Sequence, residues 1–102
     1  MFLERILDTY TYQLLLEKYD IDYVEDINRS NFLSIYKLFI NNNFYFVNDL
    51  VLNYLEIFKL DYDIILESVE RFKDNYDNYV YVIGNDLSLF IDMINDVLKD
   101  NL

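Results

Sequence analysis

Apolar residues recur at helical intervals along almost the whole chain, and no other feature restricts the fold as strongly. Leu3, Ile6, Leu7, Tyr10 and Leu14 share one face of a helix drawn from Phe2 to Lys18. A short second helix is expected from Tyr23 to Asn28, with Asp22 as N-cap and Glu25 completing a capping box. Ser30 caps a third, from Asn31 to Asn41, whose core stripe is Phe32, Ile35 and Phe39. Asn41-Asn42-Asn43 is a break. A fourth helix follows from Phe44 to Phe58, with Val47, Val51, Tyr54, Leu55 and Phe58 inward. Asp61 caps a fifth, Tyr62 to Asp74, with Ile65, Val69 and Phe72 inward. The last runs from near Asp86 to Lys99 and carries Leu87, Phe90, Ile91, Ile94 and Leu98.

The expected fold is all-α, a bundle of five to seven short helices. No linker rich in Pro, Gly or Ser divides the chain, so residues 1–102 read as a single domain. Two windows fit strands as well: Phe44 to Val47 and Tyr79 to Ile83 are β-branched and aromatic. An α+β fold with a two-stranded ribbon at 44–47 and 79–83 is therefore the alternative. Asn48-Asp49-Leu50-Val51-Leu52 and Asn85-Asp86-Leu87-Ser88-Leu89 share a pattern at an offset of 37 residues, which reads as two repeated helical pairs. Gly84 is expected to take a left-handed conformation and end a helix near Tyr79.

Composition narrows the chemistry. The chain has 102 residues, with no Cys, His, Trp, Pro or Ala, and one Gly. Disulfides, zinc thiolates, histidine metal sites and Ser–His or Cys–His nucleophiles are thereby excluded. One glycine cannot build a phosphate loop. Nineteen acids against eight bases give a formal charge of −11. An AT-rich coding sequence would explain the shortage of Ala, Pro and Gly, but should raise Lys with Asn. Here 5 Lys stand against 12 Asn and 13 Asp. The negative charge therefore calls for a reason of its own, either a partner or the solubility of a chain with 19 aromatic residues. Such a charge disfavours direct binding to nucleic acid or an anionic membrane and favours a basic protein. The start Met1-Phe2-Leu3-Glu4-Arg5 holds no export signal, and the apolar stretch Phe32 to Ile40 is too short to span a bilayer. The expected location is the cytoplasm, the host's if the chain is phage-encoded.

Carboxylates are the main chemical resource, in three groups. Glu17, Asp20, Asp22, Glu25 and Asp26 cluster near the second helix. Asp63, Glu67, Glu70 and Asp74 follow at helical spacings of four, three and four. Asp92, Asp96 and Asp100 follow at spacings of four. The last stripe breaks three local rules. It repeats like charge at i and i+4, uses a poor helix former, and puts acids against the macrodipole. Such conflict points to function. Residues four apart rise about 6 Å along a helix, comparable with the spacing of phosphates on an extended strand. A row of carboxylates can thus stand in for a nucleic-acid backbone; the plainer alternative is a solvated face.

No calcium loop is completed after Asp20-Ile21-Asp22 or Asp61-Tyr62-Asp63, where helix capping is the simpler role. No metal, cofactor or catalytic residue is expected, and the chain reads as a non-enzyme. Tyr10, Tyr36 and Tyr54 are placed at the core edge. Tyr19, Tyr23, Tyr62 and Tyr76 lie beside acids and are placed outward, where a phenol can stack on an arginine.

In size, composition, lack of His and Cys, and stripes such as Asp63/Glu67/Glu70/Asp74, the chain resembles the small acidic inhibitors of phages and mobile elements, including anti-CRISPR and anti-restriction proteins. The resemblance is one of overall character. It implies binding to a basic, nucleic-acid-binding enzyme or complex in its nucleic-acid groove. The expected partner-binding residues are Asp20, Asp22, Glu25, Asp26, Asp63, Glu67, Glu70, Asp74, Asp92, Asp96, Asp100, Tyr23, Tyr62 and Tyr76. An antitoxin fits the charge equally. An adaptor subunit docking through apolar surface, or a homodimer, is the alternative from another class.

Overall fold

A computed structural model describes residues 2–102. The fold is all-α. Among the described residues there are eight α-helices: α1 (Leu3–Ile6), α2 (Thr9–Lys18), α3 (Ile21–Glu25), α4 (Arg29–Asn41), α5 (Val47–Asn53), α6 (Tyr62–Asn75), α7 (Tyr79–Asn85) and α8 (Leu87–Asp100). A 3-10 segment, Leu55–Lys59, links α5 to α6. No strand forms among them, so the ribbon alternative falls: Tyr79 to Ile83 is helical, and Phe44 to Phe46 is a turn leading into α5.

The bundle of several short helices is as expected; an eighth α-helix arises because the first long helix is broken, and a second break turns the end of the fourth into the 3-10 segment. The first breaks at Leu7 and Asp8, both extended. Asp8 is a strong N-cap: its two carboxylate oxygens accept from the Thr11 N–H and the Thr11 hydroxyl, each at 2.8 Å. The Thr11 bonds hold the Asp8 carboxyl below its ordinary range. Restarting the helix there changes its inward face to Thr11 and Leu15, both buried. Tyr10, expected at the core edge, is turned out and is 71% exposed.

The second break falls at Tyr54, which leaves helical geometry. The Asn53 amide turns back to donate to the Asp49 carbonyl at 3.0 Å. The chain then tightens into the 3-10 segment, burying Leu55, Ile57 and Phe58.

Three capping assignments shift. Asp20, not Asp22, is the N-cap of α3, and Asn28, not Ser30, is the N-cap of α4. Asn28 Oδ1 accepts from Asn31 N–H at 2.9 Å. The Asn31 amide in turn donates to the carbonyls of Phe58 and Leu60 at 2.8 and 2.9 Å, satisfying the end of the 3-10 segment. Gly84 is not left-handed; it lies within α7. The left-handed residue is Asn43, at φ 62°, just after α4. Asn tolerates this conformation better than other side-chain-bearing residues. Gly84 has another use: a Cβ there would overlap the Tyr45 hydroxyl and stand 3.1 Å from Phe46 Cδ1.

The repeated pattern does not make like structures. Asn48-Asp49 sits in the first turns of α5, whereas Asp86 is the N-cap of α8 and accepts from Ser88 N–H at 3.1 Å. The same letters meet different neighbours.

The core is built on phenylalanine. Phe39 stacks on Phe44 at 5.3 Å and meets Phe58 and Phe90 edge-on, both at 5.7 Å. Phe32 stacks on Phe58 at 4.7 Å. Phe90 also contacts Phe44 and Phe72 at 5.9 and 6.2 Å, tying α8 to α6 and to the turn after α4.

Candidate functional site: an acidic helical face

Helix α6 buries Ile65, Ser68, Val69 and Phe72. Asp63, Glu67, Glu70 and Asp74 fall on its opposite side by spacing; Glu67 is half-buried and the other three are exposed. Helix α8 buries Phe90, Ile94 and Val97 and leaves Asp92, Asp96 and Asp100 exposed. The two helices pack extensively on each other. The second and third carboxylate groups, distant in sequence, are therefore carried by one pair of packed helices.

Arg71 ties them together. Its guanidinium donates to Glu67 on its own helix at 2.7 Å and to Asp100 of α8 at 2.8 Å. The Asp100 hydrogen bond, with help from the nearby negative charge of Glu67, holds the Arg71 pKa above its ordinary range. Asp100 of the α8 stripe is thereby partnered, while Asp92 and Asp96 have no ion pair among the described residues. Lys73 and Lys99 lie on the same two helices and are exposed.

The first group lies on neither α6 nor α8. Asp20, Asp22, Glu25 and Asp26 are exposed on α3 and at its ends. Asp26 lines an open polar cleft of about 600 Å³ with Asn28, Ser30, Asn31, Ser34, Lys59 and Asp61. Asp20 and Asp61 hold N-cap positions, yet neither side chain makes a capping bond. No group of three carboxylates placed to hold a metal ion occurs among the described residues.

The tyrosines divide. Tyr76 is exposed and stacks on Phe72 at 5.9 Å. Tyr19, Tyr23 and Tyr62 are half-buried rather than outward. Tyr23 stacks on Tyr19 at 5.5 Å, and Lys59 Nζ lies 3.8 Å from its ring centroid. Its cation–π contact is thus already occupied from within the chain. Burial raises the Tyr23 pKa, and the charge of Glu56 adds to it. Besides Tyr10, the surface phenols that sequence reasoning missed are Tyr45 and Tyr81; their uncharged surroundings gave no acidic neighbour to flag them.

Together these features define an acidic, all-helical domain with a carboxylate-bearing pair of helices. Comparison with protein-family models, with curated proteins and with solved structures returned no match. No helix among the described residues is long and apolar enough to cross a membrane.

Proposed function

We propose that this chain is a protein-binding inhibitor that occupies the basic nucleic-acid-binding surface of a nuclease or similar enzyme, as anti-CRISPR and anti-restriction proteins do. The observation that carries it is the pairing of α6 and α8. Two stripes separated in sequence are held on two packed helices, with Asp63, Glu70, Asp74, Asp92 and Asp96 exposed and outside any ion pair among the described residues. Carboxylates at helical intervals of about 6 Å present charge at a spacing suited to a groove that grips phosphates. Packing holds the two helix backbones in place, so on binding only the exposed side chains have to be ordered.

The test is capture by the tagged protein from nuclease-treated lysate of a candidate host, across a salt series and against competing DNA or RNA. The expected result is one nucleic-acid enzyme, released by salt and by nucleic acid. Reversal of Asp92, Asp96, Asp63 and Glu70 to Lys should abolish capture while helicity is retained. Asp100 is left intact because it anchors Arg71. A partner that resists both salt and nucleic acid, or that still binds the reversed variant, overturns the proposal.

A further inference from the structure

The longest uncharged run in the sequence is Leu38 to Asn48, and Asn78 to Asn85 is uncharged as well. The fold brings these windows together. Tyr79 donates its hydroxyl proton to Asn42 Oδ1 at 2.8 Å, and its ring lies 6.3 Å from that of Phe44. The Tyr45 ring lies over Gly84, the one position in the chain without a side chain to block it. Tyr81 is three residues before Gly84 and so on the same face of α7. Ile40, Asn43, Phe44 and Tyr45 line one shallow hollow of about 340 Å³. The result is a neutral face on which Ile40 is 48%, Tyr45 66% and Tyr81 65% exposed. Asn41, Asn43 and Asn85 are exposed within the same windows.

We propose that this face is the surface through which two copies of the chain associate. Charge selects the occupant. Two molecules of formal charge −11 repel wherever their carboxylates approach, and the two windows of this face contain none, the acids Asp49, Asp77 and Asp86 lying at their ends. Its chemistry is also self-complementary. Asn amides and Tyr hydroxyls each donate and accept, so a patch of them can pair with its own copy about a two-fold axis. Tyrosine supplies contact area at low entropy cost, as interface cores favour. The acidic helices need not take part, so the assembly is independent of the function proposed above.

Sedimentation equilibrium of the purified full chain over a concentration series tests this, at low and high salt. The expected result is a monomer–dimer equilibrium that tightens as salt screens the net repulsion. Tyr81→Asp and Ile40→Asp each set two carboxylates against each other and should weaken dimerisation about tenfold or more. Tyr10→Asp removes an equally exposed phenol elsewhere and should leave it unchanged, with circular dichroism confirming that all three variants fold. A wild-type chain that stays monomeric throughout overturns the proposal and leaves the face to a different partner. So does a dimer that both Tyr81→Asp and Ile40→Asp leave intact, or one that Tyr10→Asp dissolves.

Discussion

The surface carried by α6 and α8 and the surface formed by the turn after α4 with α7 share one aromatic core and differ in almost everything above it. The first alternates buried apolar residues with exposed carboxylates at strict helical intervals. The second is built from two uncharged windows, exposes Ile40, Tyr45 and Tyr81, and includes Asn43, the one left-handed residue among the described residues. Phe90 and Phe44, in contact at 5.9 Å, lie beneath the two respectively. The contrast teaches that charge is missing from one place: every described helix except α7 carries charged residues, while α7 and the turn after α4 carry none.

The most severe way to break the comparison is to remove the core that both faces share. Phe44→Ala and Phe90→Ala should each cost about 3–5 kcal/mol, a large part of the roughly 5–15 kcal/mol that holds a domain of this size. The rings touch each other and both touch Phe39. The double variant should therefore depart from additivity by about 0.5–3 kcal/mol in urea unfolding. Additive losses would mean that the two faces rest on independent cores.

Next in size is the dependence on pH. Burial raises the Tyr12, Tyr23 and Tyr36 phenols above the ordinary value of 10.0, with Glu4, Glu56 and Asp8 respectively adding like charge. A phenol whose folded pKa exceeds its unfolded value stabilises the fold while protonated. That stability is complete below the unfolded value and is lost as pH rises through the folded ones. Asp8 has the opposite sense. Its carboxyl is lowered from 3.8 by the Thr11 bonds, so its contribution is present above that value and fades as pH falls through the depressed one. Thermal unfolding should thus weaken at the alkaline end with the tyrosines, and Tyr36→Phe should relieve part of that loss. At the acid end, Asp8→Asn should flatten the decline.

How much of this was legible beforehand divides along physical lines. The α4, α6 and α8 stripes were readable because a long helix repeats its inward face often enough to show it, as with Phe32, Ile35 and Phe39. The two breaks were not. Leu7 and Leu14 continue the apolar spacing across Asp8, and only the local competition between a capping carboxylate and one more helical turn decides the matter. Tyr10 was misplaced for that reason alone. Among the candidate site residues, the acids were placed on the exposed face by spacing. That α6 and α8 pack together, and that Arg71 reaches Asp100, are tertiary facts with no local signal. Gly84 was singled out correctly and explained wrongly. Backbone freedom is the usual reason for a lone glycine, but here the reason is room for Tyr45.

A smaller effect separates a charged face kept for binding from one that is merely solvated. Asp96 lies four residues from both Asp92 and Asp100, so Asp96→Asn removes two like-charge pairs and should stabilise the protein by about 0.5 kcal/mol in urea unfolding. A gain in stability joined to a loss of partner capture is the signature of charge retained against the fold's own interest. Stability gained with capture unchanged would return that stripe to the status of a solvated face.

The smallest expected change sharpens the neutral face. Gly84→Ala replaces the poorest ordinary helix former by the best, inside α7, a gain of up to about 1 kcal/mol. Against it stands the new methyl, which meets the Tyr45 ring end and stands 3.1 Å from Phe46 Cδ1. Tyr45 is exposed and can swing away, whereas Phe46 is buried and can yield only slightly. The two effects nearly cancel, so the midpoint of unfolding should stay within about 1 kcal/mol of the parent. The consequence appears elsewhere. With Tyr45 displaced, the hollow beside Ile40 and Asn43 changes shape, and dimerisation should weaken while stability does not. Tyr45→Ala in the same background should then have little further effect on dimerisation, because the ring it removes has already left the face. If Gly84→Ala instead destabilises by several kcal/mol, Phe46 rather than Tyr45 takes the strain, and the glycine serves the core and not the surface.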